Sequence, residues 1–218
     1  MKTIRVTGKG QLKVHPDMTR ITMELTGRRW DYGETLEQSS KDTEQMKDLL
    51  VPFGFARTDV KTLSFDVETE YEDYKEKGAW KQKFIGYQYT HVLKVEFESD
   101  NARLGKILFA LAHCKLHPEF RLSYTVKDPE AVKNELLGKA VQDAIAKARV
   151  LSNAAGLKLG EIQNMDYSWG HIDFEVRPMS KKLAMCEYEC RAPGSYDMDI
   201  EPDDIEVNDT VTVVWVVL

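Results

Sequence analysis

The chain has 218 residues, 42% of them hydrophobic and 30% charged, with a formal net charge of −6. That length admits one large domain or two small lobes, with enough apolar residues for a substantial core. The acidic balance opposes a nucleic-acid or anionic-lipid surface, and no apolar run approaches the ~20 residues that span a bilayer as a helix.

The start, "MKTIRVTG", enters a strand-like pattern at once and shows no apolar leader segment. As numbered, this predicts a cytoplasmic chain; a leader trimmed from the sequence would make it periplasmic or exported. Ile4, Val6, Gly8, Gly10, Leu12 and Val14 share one parity, as in a strand, and Pro16-Asp17 mark a turn. Thr19, Ile21, Met23 and Leu25 form a second alternating run, and the two are expected to make a hairpin with one wet face. "GKGQLK" has no third glycine, no following helix and no Gly-Lys-Ser/Thr, so it reads as a bulge or a close backbone approach rather than a phosphate loop. His15 and Asp17 read as part of the turn, Asp17 bonding its own backbone.

Asp31 and Glu34 resemble a capping box that opens a helix running to about Phe53, with Leu36, Met46, Leu49 and Leu50 inward and Gly54 as the stop. "VKTLSFDVETEYE" and "KFIGYQYTHVLKVEFE" are two long strands joined by the charged loop "DYKEKGAW". A short helix follows near Asp100, carrying Leu104, Ile107, Leu108 and Leu111 on one face, and "EFRLSYTV" is another strand. Asp128-Pro129-Glu130 supplies a cap, a proline at the first helical position and an acid in the first turn. That helix is expected to reach about Gly156 with a seam of Leu137, Val141, Ala144, Ala148, Leu151 and Ala155. "EIQNMDYSW" reads as a strand, and "TVTVVWVVL", apolar on both faces, as a central one. Short connections between strands predict α+β architecture, largely antiparallel sheet packed against helices, with one long helix near residues 129–156.

Three motifs invite a metal or redox reading. In "HCKLH", His113 and His117 are four apart and would share a helical face as two metal ligands. Asp197, Asp199, Glu201 and Asp203 alternate as in a calcium loop, but Pro202 and Asn208 stand where that loop needs glycine and a bidentate glutamate, so a solvated acidic loop is the plainer reading. In "CEYEC", Cys186 and Cys190 would lie roughly 13 Å apart in a strand, too far for a disulfide or a shared metal; a helix or tight loop would leave both open. With Cys114 the count is three, which fits a reducing compartment rather than a disulfide framework. No residue pattern names a catalytic group or a cofactor site.

Taken together, "VTGKGQLKVHPDMTRITMEL", "FIGYQYTHVLKVEF" with Gly86 and Tyr87, the Ala- and Lys-rich "DPEAVKNELLGKAVQDAIAKARVLSNAAGLKLGEI" and "IEPDDIEVNDTVTVVWVVL" resemble the SIMPL-domain family, in family order. The resemblance implies two interleaved α+β lobes, an outer one from residues 1–59 and 127–218 and an inserted one from 60–126. It also implies self-assembly, mostly exported bacterial members with links to envelope and oxidative stress, and no shared catalytic residues. The chain departs from the pattern in the charged "EYEDYKEKGAWKQ" insertion and in the irregular stretch 171–195.

The leading expectation is therefore a non-enzymatic, self-associating scaffold or binding protein with a stress-related role. It would be a homo-oligomer with a protein partner and without nucleic acid or cofactor. Tyr87, Tyr89, Trp169 and Trp215 would supply interface, unless they belong to the core. The alternative is a small-molecule or metal-binding stress protein using His113/His117 or the Asp197, Asp199 and Glu201 cluster.

Overall fold

The computed structural model describes residues 2–76, 78–167, 172–176 and 196–218. The elements run β1 (Lys2–Val14), β2 (Met18–Arg29), α1 (Tyr32–Leu50), β3 (Lys61–Glu76), β4 (Ala79–Glu98), α2 (Asn101–His113), β5 (Glu119–Thr125), α3 (Pro129–Ala154), β6 (Leu159–Tyr167) and β7 (Ile205–Val217). One sheet has the order β1-β7-β6 and the other β3-β4-β2-β5. The assigned ladders between β1 and β7, β2 and β4, β3 and β4, and β6 and β7 are all antiparallel. The architecture is α+β, as expected.

The described residues divide into two units. The first comprises those within 1–17, 124–176 and 202–218, the second those within 18–123 and 177–201. This differs from the expected division, which placed 18–59 with the termini. The reason is strand pairing. β1 and β2 form no hairpin: β1 pairs along its whole length with β7, and β2 along its whole length with β4. The turn at Pro16-Asp17 hands the chain from one sheet to the other, so β2 and α1 belong with β3 and β4.

In the first unit α3 lies on β1 and β7. Its buried stripe is Leu136, Ala140, Ala144, Ala148 and Ser152, stepping by four. Leu137 and Val141 are only partly buried, Leu151 is half exposed and Ala155 is exposed, so the expected seam holds at Ala144 and Ala148 and is shifted by one residue at either end. The glycines explain the choice. A Cβ on Gly8 would sit 2.0 Å from the Ala140 carbonyl oxygen, and one on Gly10 would sit 2.2 Å from that of Leu136. Small residues on both sides let helix and strand backbones touch, which is the close approach predicted for "GKG". β7 is central, as its two apolar faces required, and Val211, Val213 and Trp215 join Val6 and the alanines in one core.

The second unit is built on Ile21, Met23 and Leu25 of β2, Leu93, Val95 and Phe97 of β4, and the apolar faces of α1 and α2. Asp31 caps α1 by accepting from the Gly33 and Glu34 backbone N–H groups, and Asp100 caps α2 in the same way. Gly54, at φ +85°, stops the turn that follows α1.

Candidate functional site

The inner face of α1 departs from expectation in its first half. Leu36 is exposed, whereas Thr35, Ser39, Asp42 and Thr43 are buried beside Met46 and Leu50. Thr35, Asp42 and Thr43 meet partners on the sheet. The Tyr89 hydroxyl donates to the Asp42 carboxylate, whose other oxygen accepts from Gln38 Nε2 at 2.7 Å. Burial, then the bond to Asp42, holds the Tyr89 phenol well above its ordinary range.

Next to this pair, His91 is bridged on both ring nitrogens, Nδ1 to Thr43 Oγ1 and Nε2 to Thr62 Oγ1, each at 2.9 Å. Thr43 spends its single hydroxyl hydrogen on the Ser39 carbonyl at 2.8 Å. The neutral ring must therefore donate from Nδ1 to Thr43 and accept at Nε2 from Thr62. Burial, then the Lys47 ammonium, pushes the His91 pKa below its ordinary value and favours this neutral form. Each named group is matched, so the seam fastens α1 and β3 onto β4.

The seam anchors the root of an arm. β3 and β4 pair as far as Glu76 and Ala79, while β2 ends opposite Tyr87. From Glu70 to Gly86 the pair therefore continues as a ribbon of two strands. The segment expected to be a charged loop is thus mostly strand, closed by a turn in which Gly78 has φ +85°. Rings gather at its base: Phe84 meets Trp30, Tyr71 and Tyr87 edge-on at 5.2, 5.8 and 5.2 Å, and Tyr87 meets Tyr32 at 5.4 Å. Trp30 is 64% exposed, and Trp80, near the tip, 72%. Clustered exposed rings of this kind mark an interaction surface.

The structure distributes the sequence-predicted residues unevenly. Tyr87 belongs to the ring cluster, but Tyr89 and Trp215 are 1% and 3% exposed and serve the two cores. Trp169 lies outside the described residues, as do Cys186 and Cys190. α2 ends at His113, with Cys114 already extended, so His113 and His117 do not share a helical face. His113 instead stacks on Phe109 at 4.1 Å, and His117 adopts a positive φ of 43°. Asp197, Asp199 and Glu201 are exposed while Met198 and Ile200 between them pack on the second unit's core. Among the described residues, no three His, Cys, Asp or Glu side chains come together to hold a metal. His15 and Asp17 also part company: His15 lies 3.4 Å from Asp204, and Asp17 accepts from the Lys127 backbone N–H at 2.8 Å rather than from its own turn.

Sequence reasoning missed Trp30, Tyr32, Tyr71 and Phe84. The register of β3 on β4 and the passage from β2 into α1 bring them together. A usable signal was present: aromatic residues interrupt the charged stretch from Tyr71 to Phe84 repeatedly, which a flexible loop does not need.

The model of the SIMPL family, a protein family of unknown function (DUF541), matches residues 4–215. The chain belongs to this family. It is 29% identical over 160 residues to the 26 kDa periplasmic immunogenic protein of Brucella abortus (strain S19), a span covering 73% of this chain and 64% of that relative. It is also 22% identical over 213 residues to the uncharacterized protein YggE of Escherichia coli (strain K12), covering 97% of this chain and 82% of that relative. The chain thus spans less than two thirds of the Brucella relative's length. The expectation of a cytoplasmic chain gains no support here, because the Brucella relative is named as periplasmic. No helix among the described residues is long and apolar enough to cross a membrane.

Proposed function

We propose that this chain is a non-enzymatic, self-associating scaffold or binding protein of an exported, periplasm-type compartment. The observation that carries the reading is the arm. It exposes Tyr71, Tyr74 and Trp80 on a frame of two paired strands, with Trp30 and Tyr32 exposed beside its base. Exposed aromatic residues on such a frame lose little conformational freedom on contact and supply much apolar area. Support for the compartment comes from the name of the Brucella relative. A stress-related role, implied by the family resemblance, belongs to the same proposal, and loss of the protein is expected to lower survival under oxidant.

A small-molecule reading has less to rest on. A surface hollow lined by Thr22, Glu24, Val92, Glu119, Phe120 and Arg121 holds about 170 Å³, below the roughly 300–1,000 Å³ of ligand pockets. Sedimentation velocity on the full chain over a wide concentration range tests the proposal. A discrete species heavier than one chain is expected; a single-chain species at every concentration would end the self-association reading.

A further inference from the structure

The arm has two bare edges. β3 is the outermost strand of its sheet, and β4 loses its β2 neighbour before Gly86, so both sides of the ribbon lack a strand partner among the described residues. A ribbon of two strands is marginal alone, and its free N–H and C=O groups form a template for further pairing.

The charges on the two edges are sorted. In the arm β3 carries Glu70, Glu72, Asp73 and Glu76 against the single cation Lys75. The arm segment of β4, from Ala79 to Gly86, carries Lys81 and Lys83 and no acid. Opposite signs already meet inside the arm: Glu72 faces Lys83, and Lys81 Nζ lies 2.6 Å from Glu76.

This sorting selects among the ways two copies can pair. Joining β3 to β3 in a symmetric dimer sets acids against acids, and joining β4 to β4 sets lysines against lysines. Only β4 of one copy against β3 of the next repeats the pattern found inside the arm, with alternating strand directions that continue one antiparallel sheet. We propose that the arm links copies of this chain head to tail, the basic β4 edge of one lying on the acidic β3 edge of the next. This rests on the self-associating reading above. Such a contact is heterologous, so it closes into a ring or runs on as a filament and does not stop at a symmetric pair.

The test compares three full-length chains by native mass spectrometry, alone and mixed: wild type, Lys81→Glu with Lys83→Glu, and a swapped chain that adds Glu70→Lys, Glu72→Lys and Glu76→Lys. The arm lies outside both cores, and circular dichroism checks that each chain folds. The first variant has two acidic edges and is expected to weaken association at least about a hundredfold. The swapped chain regains complementary edges, inside the arm and between copies. It is expected to assemble with itself like wild type yet form no mixed oligomers with it. If wild type assembles and the first variant assembles equally well, or the swapped chain mixes freely with wild type, the arm is not the contact and this inference falls while self-association stands. A wild-type chain that stays single brings down the reading on which the inference rests.

Discussion

β1 and β3 are both outermost strands, yet they meet solvent in opposite ways. At the β1 edge α3 covers the face and the rim together. Asp143 accepts the Lys9 backbone N–H at 2.7 Å, and Lys147 reaches the Thr7 carbonyl at 3.5 Å. The Lys147 ammonium first, then that backbone bond, holds the Asp143 carboxyl below its ordinary range. Among the described residues β3 has no such cover; its side chains are almost all exposed over 16 residues. Proteins usually blunt free edges with charge or cover them. Here one edge is sealed, and the other carries a charge pattern that refuses its own kind. The difference separates an edge built for stability from one available for contact.

The largest effect should come from breaking the seal. Gly8→Ala drives a Cβ into the backbone of α3, 2.0 Å from the Ala140 oxygen and 2.4 Å from the Ala144 nitrogen. A loss of about 3 kcal/mol is expected in urea unfolding. Gly138 sharpens the point, since it sits in the same helix with nothing within 4 Å of an added Cβ. Gly138→Ala is expected to stabilise by roughly 1 kcal/mol, seen as a higher Tm.

The fastening beneath the open edge comes next. Tyr89→Phe removes a donor from the buried Asp42 carboxylate and is expected to cost about 1–3 kcal/mol, with core packing retained. His91 adds a pH signature. Its folded-state pKa lies below the ordinary 6.5, so the unfolded chain binds the proton more tightly. Stability from this group is full above 6.5 and falls as pH drops below it toward the folded value. Urea melts on either side of that value should show the loss, with a shallower slope in His91→Gln.

The smallest effect belongs to Tyr124. Its hydroxyl is buried without a hydrogen-bond partner among the described residues. Tyr124→Phe is expected to leave Tm unchanged or raise it slightly.

The sealed region was the more legible of the two in the sequence. The Asp128-Pro129 start, the two strand glycines and the doubly apolar β7 are local patterns, and each appears where expected. The α3 seam was misplaced at its ends because Val141 and Leu151 signal burial more loudly than Ala140 and Ser152, whereas the close approach of Gly8 and Gly10 selects Leu136 and Ala140. The hairpin expected from β1 and β2 failed because sequence adjacency says nothing of the far partners β7 and β4. The open region was legible only in composition. Charge around Gly78 imitates a loop, and the ring cluster joins residues as distant as Trp30 and Phe84, which no spacing rule connects.

The most direct measurement is light scattering on the full-length chain through a salt titration at fixed concentration. Complementary edges predict an assembly of more than two copies at low salt that loses mass as salt rises and screens Lys81, Lys83 and the β3 acids. A monomer or a simple dimer, with a mass that salt does not change, would contradict the account.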